Sequence, residues 1–156
     1  LPWFAKKFQE RGTEFHEIFA WDSGWNPKNF WAQVPRNMVS KLHFYGVPVT
    51  PGPDSKQNPL RLIEQVVRPQ DYAVLHLGTD NRVIQSAIVQ QLLDSPKLQG
   101  LVDELFWGPH VLRTKGWNAL SEVPDTETIF DSYGNFTRLR ELGIRAHSWP
   151  SVGHQA

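Results

Sequence analysis

The feature that most constrains the fold is a strand–helix–strand pattern in residues 72–107. Residues 72–80 run Tyr-Ala-Val-Leu-His-Leu-Gly-Thr-Asp, and their apolar core predicts a buried strand over residues 72–77. Residues 81–94 repeat apolar side chains at the i, i+4 spacing of a helix, and residues 104–107 are a second short apolar run. This order favours two parallel strands joined by a crossover helix.

The rest of the chain continues the alternation of strands and helices. Further strands are predicted over residues 17–22, 41–49 and 144–149, and further helices over residues 2–11, 26–33, 60–67 and 125–142. We therefore expect one α/β domain over residues 1–156, with a mostly parallel sheet and helices on both faces. Ligands of such sheets bind outside the carboxyl ends of the strands. The proline-rich residues 50–59 predict an ordinary polar connection, with a substrate lid as the alternative.

Composition narrows the classes of partner. An apolar fraction of 40% is enough for a core, and a formal net charge of zero gives no electrostatic basis for binding nucleic acid. No stretch approaches the roughly 20 apolar residues of a membrane span. The chain has no cysteine, which removes disulfides, thiolate nucleophiles and cysteine metal sites. We expect a soluble protein whose compartment the residues do not fix.

Five short segments, taken in order, carry a resemblance to a known family. They are residues 19–22 (Phe-Ala-Trp-Asp), 44–49 (Phe-Tyr-Gly-Val-Pro-Val), 72–85, 101–110 and 138–150. Together they resemble the FkbM-like branch of S-adenosylmethionine-dependent methyltransferases, especially its plant and algal members. The resemblance implies a Rossmann-like methyltransferase fold, S-adenosylmethionine as cofactor, and a sugar or another hydroxyl compound as methyl acceptor. It also leaves an organellar location open.

The resemblance assigns roles to three polar residues. Asp22 would bind the ribose hydroxyls of the cofactor, and Asp80 and His110 would lie near the acceptor as catalytic groups. Each has a structural alternative: a strand-end or helix-capping acid for Asp22, a helix cap for Asp80, and a partly buried histidine with a backbone partner for His110.

The chain departs from the family pattern where that pattern has charged groups. The Lys and first Asp of the fourth-strand motif are His76 and Gly78, the helix Glu is Gln85, and the Glu of the fifth-strand motif is Gly108. Methyl transfer to a hydroxyl needs a general base and an oriented cofactor. We therefore expect a non-catalytic, methyltransferase-like domain that binds no cofactor and serves as a structural or interaction subunit among other protein subunits. The alternative is an active S-adenosylmethionine-dependent O-methyltransferase.

The first strand of the resembled fold, with its glycine-rich turn, is missing and would lie just before Leu1. The sole methionine is Met38, so we expect a processed chain or a fragment. In the doubly wound order that strand lies mid-sheet, between the second and fourth strands. Residues before Leu1 are the favoured source of it. A partner chain could also supply it, or the two flanking strands could close up.

Histidine and tryptophan raise two further possibilities. His43, His76 and His110 could form a metal site, but they lack the local spacing of one, and we expect none. The seven tryptophans could form the stacking platform of a sugar-binding module. The preferred expectation divides six of them between the core (Trp3, Trp21 and Trp149) and an interface (Trp25, Trp31 and Trp117).

Overall fold

The computed structural model of the chain describes residues 1–24, 26–79, 81–108 and 129–149, without the side chains of residues 27, 129 and 130. The chain groups into two compact units, residues 1–50 and residues 51–156. The expectation of a single domain over residues 1–156 stays a prediction.

The first unit combines helices with a two-stranded parallel sheet. Its elements are α1 (Pro2–Glu10), β1 (Ile18–Trp21), α2 (Pro27–Gln33), a 3₁₀ helix (Arg36–Lys41) and β2 (Leu42–Tyr45). A proline in the first turn favours the start of α1 and of α2, and Gly12, at a φ of +73°, follows the end of α1. Strand β2 ends at Tyr45, four residues before its predicted end at Val49. The remaining predicted residues include Pro48, which has no N–H to donate to a strand ladder.

The β1–β2 sheet has one apolar face and one aromatic face. Its apolar face packs into a core built from the following residues: Ala5, Ile18, Ala20, Phe30, Val34, Met38 and Leu42. Because side chains alternate along a strand, Phe19 and Trp21 of β1 lie on the other face with His43 and Tyr45 of β2. The rings of Phe19 and His43 stack at 4.7 Å, and those of Trp21 and Tyr45 stack at 5.1 Å.

The second unit contains a three-stranded parallel sheet. Its elements are α3 (Pro59–Val66), β3 (Val74–Leu77), α4 (Arg82–Asp94), α5 (Pro96–Gln99), β4 (Glu104–Trp107), α6 (Ile129–Glu141) and β5 (Arg145–Ser148). The strand order is β3–β4–β5, and both pairs are parallel. The predicted mixed α/β architecture with parallel strands is therefore confirmed.

Strand β4 is central to this sheet and is buried along its whole length. On one face of the sheet, the neighbouring strands β3 and β5 bury alternate residues, among them Leu75, Leu77 and Ala146. Helix α6 packs on this face, since the rings of Trp107 and Phe136 lie 5.0 Å apart. The opposite face carries polar and aromatic residues, namely His76, Glu104, Phe106, Arg145 and His147.

The two sheets share no strand pair. Among the described residues, β1 pairs with β2 alone and β3 pairs with β4 alone. The alternative in which the strands flanking the missing one pair directly is therefore not found. A strand supplied by other residues of the chain, or by a partner chain, stays a prediction.

The burial of the tryptophan side chains differs from the expected division between core and interface. Trp3 is 44% exposed, so its assignment to the core is wrong: it lies on a short surface helix of which only Phe8 is buried. Trp21 and Trp149 are half-buried, and Trp31 is 39% exposed. The tryptophan buried deepest among the described residues is Trp107, at 1% exposure. Trp25 and Trp117 lie outside the described residues.

None of the helices in the described part of the chain is both long enough and apolar enough to cross a membrane.

Candidate functional site

Asp22 lies at the carboxyl end of β1, where a parallel sheet presents ligand-binding groups. Its backbone N–H donates to the carbonyl oxygen of Tyr45 (3.1 Å), which extends the ladder by one residue. Its Oδ1 accepts a hydrogen bond from the N–H of Gly24 (2.8 Å). The carboxylate therefore stabilises the turn that leaves the strand, as the structural alternative predicted. The ribose-binding role of Asp22 stays a prediction.

A shallow depression lies beside this turn. Its lining is formed by Gly24, Asn26, Asn29, Ala32 and Gln33. The depression opens broadly to solvent, and the described residues that line it include no ionisable side chain. It therefore lacks the concave, largely apolar walls that enclose most small-molecule ligands.

At the carboxyl end of β3, the two departures from the family pattern, His76 and Gly78, lie next to each other. A Cβ atom added at Gly78 would lie 2.8 Å from Cε1 of His76, closer than side-chain atoms approach in folded proteins. The imidazole of His76 also makes an edge contact with Trp149, with ring centres 5.2 Å apart. A side chain at position 78 would therefore require the His76 ring to move.

The third departure, Gln85, is a buried packing residue in the first turn of α4. It is 3% exposed, and its Oε1 accepts a hydrogen bond from the indole N–H of Trp107 (3.1 Å). Its Nε2 donates to the carbonyl oxygen of Thr79. A glutamate here would keep the acceptor and lose the donor. Gln85 thus joins α4 to the ends of β3 and β4.

Helix α4 is capped by Asn81, the residue that follows Asp80 in the sequence. Oδ1 of Asn81 accepts a hydrogen bond from the N–H of Ile84 (3.2 Å), so Asn81 caps α4. The N–H of Asn81 donates to Oγ1 of Thr79 (3.2 Å). Asp80 and His110 lie outside the described residues, and their proposed catalytic roles stay predictions.

A buried carboxylate at the amino end of the second sheet was not foreseen. Glu104, the first residue of β4, is 1% exposed, and its Oε1 accepts a hydrogen bond from the hydroxyl of Tyr72 (2.7 Å). Nε of Arg145 lies 3.5 Å from the same oxygen, and Nε2 of His147 lies 3.8 Å from Oε2. Arg145 also donates to the Tyr72 hydroxyl and lies over its ring. This cluster joins residues of β4 and β5 to the segment before β3.

The cluster affects the ionisation of Tyr72. Burial and the hydrogen bond to Glu104 raise the pKa of the Tyr72 phenol to about 12. The neutral phenol is therefore the form that the folded unit stabilises. Because Glu104 and Arg145 begin their strands, the cluster lies at the end of the sheet opposite the one where ligands bind. We interpret it as structural. The sequence signal for it was an acid within an apolar run.

Residues 51–58 are fixed to α4 by a buried asparagine. Asn58 is fully buried, and its Nδ2 donates to the carbonyl of Gly52 (3.1 Å) and to Oε1 of Gln91 (3.0 Å). Its Oδ1 accepts from the N–H of Leu60 (2.9 Å) and caps α3. Gln91 in turn donates to the carbonyl of Pro51 (2.7 Å). These bonds favour an ordinary connection over a substrate lid.

The described residues contain no group of three or more His, Cys, Asp or Glu side chains placed to hold a metal ion. Nε2 of His43 lies 2.5 Å from Oε2 of Glu17, and His76 contacts Trp149 as described above. The third member of the considered histidine site, His110, is outside the described residues.

Comparison with known proteins adds no relative. No protein-family model matches the chain, and neither a curated protein nor a solved structure matches it. The resemblance to FkbM-like methyltransferases therefore stays a prediction based on the five sequence segments.

Proposed function

We propose that the protein is a non-catalytic, Rossmann-like methyltransferase domain that serves as a structural or interaction subunit of a larger protein assembly. The observation that carries the proposal is the bonding of Gln85. This residue stands where the resembled family has a glutamate, and it is buried between Thr79 and Trp107 with both ends of its amide hydrogen-bonded. A group held in this way serves the packing of α4 and is not directed at a ligand.

The neighbouring positions support the same proposal. The His76 ring lies next to Gly78, and neither Gly78 nor Gly108 has a side chain that could act as a base. An O-methyltransferase needs a base within hydrogen-bond reach of its acceptor and a pocket that aligns the methyl group for attack. At these three positions the side chains are absent or used for packing.

The second candidate function is an active S-adenosylmethionine-dependent O-methyltransferase acting on a sugar or another hydroxyl acceptor. Asp22 favours it, because a half-buried carboxylate oriented by the Gly24 N–H lies at the carboxyl end of a parallel strand. In this alternative Asp22 would bind the cofactor ribose, and Asp80 or His110 would act near the acceptor.

Calorimetric titration of the protein with S-adenosylmethionine separates the two functions. The proposal predicts no binding heat and no thermal shift at millimolar cofactor. Micromolar affinity that is lost in Asp22→Ala would refute the proposal and support the enzyme. Asp54→Ala, a change of the same kind at an exposed loop position of the second unit, is the matched control.

A further inference from the structure

We draw no further inference here: the strongest candidate, the shallow depression lined by Asn26, Asn29 and Gln33 beside the turn that follows β1, carries none because it adjoins the candidate cofactor position already described at Asp22 and nothing in the structure shows what would fill it.

Discussion

The substitution Gln85→Glu restores the acid that the resembled methyltransferases carry in this part of α4, and the structure predicts that it will destabilise the second unit. Gln85 is 3% exposed, and its amide donates to the Thr79 carbonyl while accepting from the Trp107 indole. An ionised carboxylate at position 85 can still accept the hydrogen bond from the Trp107 indole. It cannot donate to the Thr79 carbonyl, so two acceptor oxygens would face each other in a buried site.

The cost follows from these two changes. Leaving a buried carbonyl without its donor costs about 1–3 kcal/mol. Burial of the new carboxylate raises its pKa above the unfolded value, and each unit of that rise costs about 1.4 kcal/mol at a pH above both values. We expect a loss of about 3 kcal/mol in the free energy of unfolding at pH 8. Near pH 4 the protonated carboxyl can donate to Thr79, and the loss should fall below about 1 kcal/mol.

Urea unfolding of the wild type and the variant, followed by tryptophan fluorescence at pH 4 and pH 8, measures both values. Gln65→Glu makes the same chemical change at an exposed position of α3 and should cost little at either pH. A loss under about 0.5 kcal/mol at pH 8 for Gln85→Glu would refute the packing role of Gln85. A loss that is the same at both pH values would refute the assigned hydrogen bond to Thr79.

Three further predictions concern the second unit. Asn58→Ala should lower the free energy of unfolding by about 2–4 kcal/mol, because several partners of a fully buried side chain lose their hydrogen bonds; a thermal melt showing less than about 1 kcal/mol would contradict this. Gly78→Ala should lower the free energy of unfolding by no more than about 1 kcal/mol, because the exposed His76 ring can turn away from the new methyl group; a loss above about 2 kcal/mol in urea unfolding would show that the ring is held in place. Because the folded unit raises the pKa of Tyr72 from 10.0 to about 12, the stabilisation is complete below pH 10 and is lost as pH rises toward 12. Urea unfolding across that range should show a decline that Tyr72→Phe makes smaller, since the lysines and the other tyrosines also titrate there, and an equal decline in both proteins would contradict the assignment.

The regular elements could be predicted because their signals are local. The apolar runs located the five strands of the described residues, and the i, i+4 pattern of residues 81–94 located α4. Asn58, Asn81 and the prolines at first turns mark helix starts through interactions within a few residues. Strand ends were less certain, as at Tyr45, where the ladder stops before the apolar run does.

The site could not be predicted to the same depth, because its contacts join distant parts of the chain. Gln85 was recognised as a departure from a family pattern, but its bond to Trp107 spans 22 residues and depends on how α4 packs. The hydrogen bond between Tyr72 and Glu104 spans 32 residues. An acid within an apolar run marks Glu104, but no local pattern indicates Tyr72 as its partner. Sequence alone therefore located the unusual residues and did not show what they contact.

The most direct test of the central claim is to locate any interaction with S-adenosylmethionine by ¹⁵N–¹H NMR. The backbone amides of Gly24 and Thr79 and the indole of Trp107 report on the strand ends where a methyltransferase would bind its cofactor. The packing account predicts that these signals stay unchanged up to millimolar cofactor. Saturable shifts at Gly24 and Thr79, abolished by Asp22→Ala, would contradict it and establish a cofactor site.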